Sequence, residues 1–128
     1  MNVTKVVVFL MVSIFSTNAL AYGSSSSTKK CTKPKFSQFA PVHLAVVAPQ
    51  SEFSFLASSL TNPDTIEVSA KKQTVDVVIN KLNKGYLVTG TLPASLEDTY
   101  ARVSIKAKGT NNCPGSDGWL LKVENSKP

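Results

Sequence analysis

The chain is poor in residues that perform chemistry. Among its 128 residues it has one histidine, two cysteines, two methionines and one tryptophan. A lone imidazole, His43, cannot build the multi-histidine sites that hold copper or zinc, and it offers only one group suited to proton transfer near neutrality. There is no Cys-x-x-Cys, so Cys31 and Cys113 do not form a dithiol redox motif. No serine lies in a Gly-x-Ser-x-Gly elbow, the turn that exposes a hydrolase nucleophile. The carboxylates Glu52, Asp64, Glu67, Asp76, Glu97, Asp98, Asp117 and Glu124 are scattered. Only Glu97 and Asp98 adjoin, in a stretch that reads as a turn. No apolar run reaches the roughly 20 residues of a membrane-spanning helix, and no long 3.6-residue period occurs. These absences point away from an enzyme, a bound cofactor and a metal centre.

The N-terminus carries the clearest signal present. Lys5 is followed by the apolar run Val6 to Phe15 and then by Ala19-Leu20-Ala21, a small-x-small triplet. That order of basic, apolar and cleavage regions predicts a removed signal peptide over residues 1–21. Tyr22, rather than a cysteine, follows the triplet, so no lipid anchor is expected. Cleavage removes Met1 and Met11, which leaves no thioether to serve as a soft metal ligand.

Export also decides how the cysteines read. In an oxidising compartment the default for Cys31 and Cys113 is one structural disulfide. It would close most of the mature chain into one loop, worth about 4–5 kcal/mol in the loop-entropy model. Residues 22–30, with Ser24-Ser25-Ser26-Ser27, read as a flexible leader. Residues 31–128 are enough for one domain.

Within that domain the pattern has period two. Phe53, Phe55 and Ala57 share a face, as do Ile66, Val68 and Ala70, and then Val75, Val77 and Ile79. Ala101, Val103, Ile105 and Ala107 alternate with polar residues, and Trp119, Leu121 and Val123 point one way. Such segments are half-buried antiparallel strands. Pro49 and Pro63 break the runs, and Asn83-Lys84-Gly85 reads as a three-residue hairpin loop with a bulge at Gly85. Pro93 to Asp98 reads as a crossover holding one helical turn, with Ser95 as its N-cap, and Pro114-Gly115 as a simple turn. Six or seven short strands in about 100 residues predict an all-β, antiparallel immunoglobulin-like β-sandwich.

The stretch Val46 to Ala57, and Leu92-Pro93 followed by Tyr100 to Ala107, resemble strands of bacterial immunoglobulin-like and fibronectin type III-like domains. The resemblance implies the sandwich fold and a role in contacting other proteins. Tyr100 departs from the pattern, being out of step with Ala101, Val103 and Ile105, so it either caps the strand from outside or the corner is built differently. Periplasmic copper-binding proteins of the copper-resistance type share this architecture. They hold copper through histidines, in part at the mature N-terminus, where this chain has Tyr22.

Three features remain as candidate sites. Lys29, Lys30, Lys33 and Lys35 form a basic run in a chain of net charge +6, a candidate contact for an anionic partner. Trp119 shares the inward face of its strand, which favours core packing over a ligand platform. His43, placed between Val42 and Leu44 on a strand, would face opposite to both. Nucleic acid is not an expected partner, because the chain is exported and lacks interleaved aromatic and basic residues. The expected function is that of an exported, non-enzymatic accessory or protein-interaction module of the bacterial envelope, periplasmic or secreted. Its expected partner is another envelope protein, with no stable membrane anchor. The alternative is a periplasmic ligand or metal-ion carrier with a site near His43.

Overall fold

The computed structural model describes residues 30–125. The expected signal peptide, most of the leader, and Lys29 lie outside the described residues.

Alternating residues produce nine strands among the described residues: β1 (Phe36–Ala40), β2 (Val46–Val47), β3 (Glu52–Ser58), β4 (Asn62–Ala70), β5 (Gln73–Val75), β6 (Val77–Leu82), β7 (Gly85–Thr91), β8 (Thr99–Lys108) and β9 (Pro114–Val123). They form a four-stranded sheet ordered β1-β3-β7-β6 and a five-stranded sheet ordered β2-β9-β8-β4-β5. This is an immunoglobulin-like sandwich, as the sequence pattern predicts. The count exceeds six or seven because β2 and β5 have only two and three residues, too few to show a period. All pairings are antiparallel except β2 with β9, which is parallel.

The chain changes sheets five times, each time through a short connection. Pro41 to Ala45 carries it from β1 to β2, and Asp76 alone separates β5 from β6. The segment around Val75-Asp76-Val77 is therefore not one strand. Its apolar residues still share the interior, with Val75 buried and Val77 and Ile79 packed against it.

The core lies between the sheets and contains the faces read from the sequence. Phe53, Phe55, Ala57 and Val88 come from one side, and Val68, Ala70, Ala101, Val103, Ile105, Trp119, Leu121 and Val123 from the other. Large side chains buried this fully stabilise the fold by about 1.5–3 kcal/mol each. Trp119 sits among Phe39, Phe53 and Phe55, with ring centroids 4.8, 6.0 and 6.2 Å away. Its indole N–H donates to the Pro41 carbonyl at 2.8 Å, which satisfies the one polar atom of a buried ring.

Several local expectations are corrected. The β6–β7 register runs unbroken from Val77↔Gly90 to Leu82↔Gly85, so the hairpin loop is two residues and has no bulge. Gly85 does adopt φ +147°, and a side chain there would strike the Ala57 carbonyl oxygen. Pro93 to Leu96 closes a turn rather than a helix, through Leu96 N–H to the Pro93 carbonyl at 3.1 Å. Ser95 therefore caps nothing; its hydroxyl bonds the Gln73 side chain. Pro114-Gly115 begins β9 instead of turning. Gly115 suits that position because a Cβ would meet the Pro34 ring at 2.8 Å.

Cys31 and Cys113 are bonded, consistent with a location outside the reducing cytoplasm. The bond and the adjoining Thr32↔Thr110 bridge clamp residues 31–35 over the start of β9.

Candidate functional site

Two surface features descend from this architecture, both on the five-stranded sheet and its rim. The first is the rim formed by residues 41–47. His43 does not lie on a strand, contrary to the alternation expected of Val42-His43-Leu44. It occupies the turn that brings the chain across to β2, because Ala45 N–H bonds the Val42 carbonyl at 2.9 Å. His43 is exposed, and its Nδ1 accepts the Leu120 backbone N–H at 3.2 Å. Leu44 N–H bonds the Leu120 carbonyl, Lys122 N–H the Ala45 carbonyl and Glu124 N–H the Val47 carbonyl, at 2.7–2.9 Å. This ladder holds Val42, Leu44 and Val46 in water at 68%, 52% and 60% exposure. Sequence alternation missed the rim, since three apolar residues with a histidine among them read as a strand.

The second feature is the outer face of the same sheet. β8 is its central strand, and Tyr100, Arg102, Ser104, Lys106 and Lys108 point outward, alternating with the buried Ala101, Val103, Ile105 and Ala107. Tyr100 is exposed and builds no corner. Its ring instead lies 5.3 Å from the Lys122 ammonium. Lys122 also pairs with Glu124 at 3.0 Å, and the Glu124 hydrogen bond and charge raise its pKa above the ordinary 10.5.

Of the basic residues read from the sequence, the structure divides the run. Lys33 lines a depression of about 520 Å³ with Thr65, Glu67, Lys106, Lys108 and Ser116. Lys35 is tied elsewhere, its N–H donating to Ser58 Oγ at 3.0 Å and its carbonyl accepting Ser58 N–H. Lys30 is exposed.

The described residues do not fit a metal centre. Among the described residues no three His, Cys, Asp or Glu side chains come together. Both cysteines are in the disulfide. A metal on His43 Nε2 would require the proton on Nδ1, where it would oppose the Leu120 N–H that Nδ1 now accepts. Trp119 is core, as its strand position indicates, and offers no ligand platform.

No protein-family model matches the chain, and no curated protein matches it. Solved structures do. CopC from Methylosinus trichosporium OB3b superposes with a TM-score of 0.56 at 12% identity, covering 74% of this chain and 97% of that one. PcoC from Escherichia coli, a methionine-rich copper resistance protein, gives 0.49 at 13% identity, covering 72% and 99%. The chain thus has a CopC-like, immunoglobulin-like sandwich fold.

Proposed function

We propose that this protein is a non-enzymatic binding module that works outside the cytoplasm of a bacterium and engages another envelope protein through the rim of its five-stranded sheet. The observation that carries this reading is the row Val42, Leu44 and Val46, held exposed by a hydrogen-bonded ladder rather than by a loose loop. Apolar side chains fixed in water have no role within the fold, and covering them releases their hydration cost. Preorganisation also limits the entropy lost when a partner docks. The test is retention of a partner from envelope extracts by the wild type and by the Leu44→Asp, Val46→Asp variant. Loss in the variant supports the rim; equal retention removes it.

The comparisons support a second reading better than this one, the fold being like that of CopC. On that reading the protein is a periplasmic ligand or metal-ion carrier centred on His43. It requires the imidazole to release Leu120 and to recruit donors that do not surround it. Titration with Cu²⁺ and Zn²⁺, following the His43 ring by NMR, decides between the two. A saturable shift of the ring at stoichiometric metal favours the carrier.

A further inference from the structure

We infer that the outer face of the five-stranded sheet binds an extended acidic segment of a partner protein, with Lys33, Arg102, Lys106 and Lys108 as the cationic contacts. The inference rests on the proposal that the partner is a protein and adds the chemistry by which it is recognised. Arg102, Lys106 and Lys108 project from the central strand of the sheet, where contacts are best shielded once a partner covers them. Three separate depressions of this face are each lined by Lys106, so the lysine stands at their junction.

The floor between the cations is low. Thr74, Ser69, Ser104 and Gly118 are cross-strand neighbours in one row, and none carries a long side chain. Gly118 leaves room for the arginine: a Cβ there would lie 3.1 Å from the Arg102 guanidinium. At the other end, the β4–β8 register breaks between Asn62 and Glu67. Thr65 Oγ fills the gap, accepting Lys108 N–H at 2.8 Å. The disulfide and the Pro34–Gly115 contact then lay Lys33 over the same depression.

The charges are not spent within the fold. Lys33, Arg102, Lys106 and Lys108 have no carboxylate within ion-pair distance among the described residues. Glu67, although opposite Lys106 in register, does not reach it, and Asp117 accepts the Gly118 N–H. Four cations therefore face three carboxylates, Glu67, Asp76 and Asp117. An extended peptide places alternate side chains about 6.8 Å apart, the same interval that separates Lys106 from Lys108. Glutamates or aspartates at alternate positions would meet successive cations while passing Glu67, Asp76 and Asp117. A flat headgroup plane would press all three carboxylates against phosphate. The trough and its spacing thus favour an acidic peptide over an anionic membrane.

The test is a low-salt NMR titration of the oxidised chain with acetylated (Glu-Thr)5 amide, using (Gln-Thr)5 as control. The expected result is shifts at the Ser104, Lys106, Lys108 and Ser116 amides with the acidic peptide alone. Lys106→Glu with Lys108→Glu should weaken binding at least tenfold, and Lys106→Gln with Lys108→Gln by less, both with unchanged circular dichroism. Absence of shifts on β8 and β9, or binding undiminished in the doubly substituted chain, overturns the inference. So does sedimentation with phosphatidylglycerol vesicles that the double substitution abolishes while the peptide fails to bind. Leu44→Asp, Val46→Asp should leave peptide binding intact. Failure of the rim and failure of this face are therefore read separately.

Discussion

The backbone N–H of Leu120 donates to Nδ1 of His43 at 3.2 Å, joining residues 77 positions apart. The bond fixes the turn that carries the chain from one sheet to the other, and it fixes the imidazole tautomer. An Nδ1 that accepts leaves the proton of the neutral ring on Nε2.

Long-range ¹⁵N correlation of the neutral ring should show the Nε2–H tautomer. His43→Ala should speed amide exchange at Leu120 and cost about 0.5–1 kcal/mol, the range for a solvent-accessible hydrogen bond. A dominant Nδ1–H tautomer would mean that the contact does not persist in solution.

Replacing Cys31 and Cys113 by serine should lower stability by about 2–5 kcal/mol, because the bond spans 82 positions of the chain. Urea unfolding of the oxidised and substituted proteins measures this. The substituted protein should also lose order at Thr32 and Lys33, since the bridge to Thr110 would no longer be tethered beside it. Equal midpoints would assign the bond no stabilising role.

The tryptophan offers an intrinsic probe. Trp119 is 2% exposed, so native emission should be blue-shifted and resistant to iodide or acrylamide, and should move to the red on unfolding. Trp119→Ala should cost about 3–5 kcal/mol through the lost burial and cavity. Ready quenching in the native state would move the ring from the core to the surface.

The Lys122–Glu124 pair predicts a small alkaline effect. The carboxylate raises the lysine pKa in the folded chain, so its contribution is present below the ordinary lysine value and fades as pH rises through the folded one. Glu124→Gln should return the Lys122 titration toward 10.5 in a side-chain NMR experiment. Added salt should shrink the difference, since the pair is partly exposed.

The core was legible in the sequence because period two is a local property. Phe53, Phe55 and Ala57 face inward wherever that strand pairs, and so do Ala101, Val103 and Ile105. The rim was not legible. Val42, Leu44 and Val46 are apolar yet exposed, because a turn at His43 interrupts the strand, and the bonds that set it come from β9, nearly 80 residues away. The basic face was half visible. Lys33 belonged to an evident run, but its companions Lys106 and Lys108 are brought to it by β8 and by the disulfide. Ser95 misled for a related reason, since its hydroxyl answers to Gln73 and not to the next turn of chain.

The larger sheet ends in stubs, two residues at β2 and three at β5. Such borders give a visiting chain little main chain to zip onto, which guards the protein against stacking into fibrils. Recognition on the face of this sheet comes from side chains. Specificity can then drift by single substitutions on the surface while the backbone scaffold beneath stays the same.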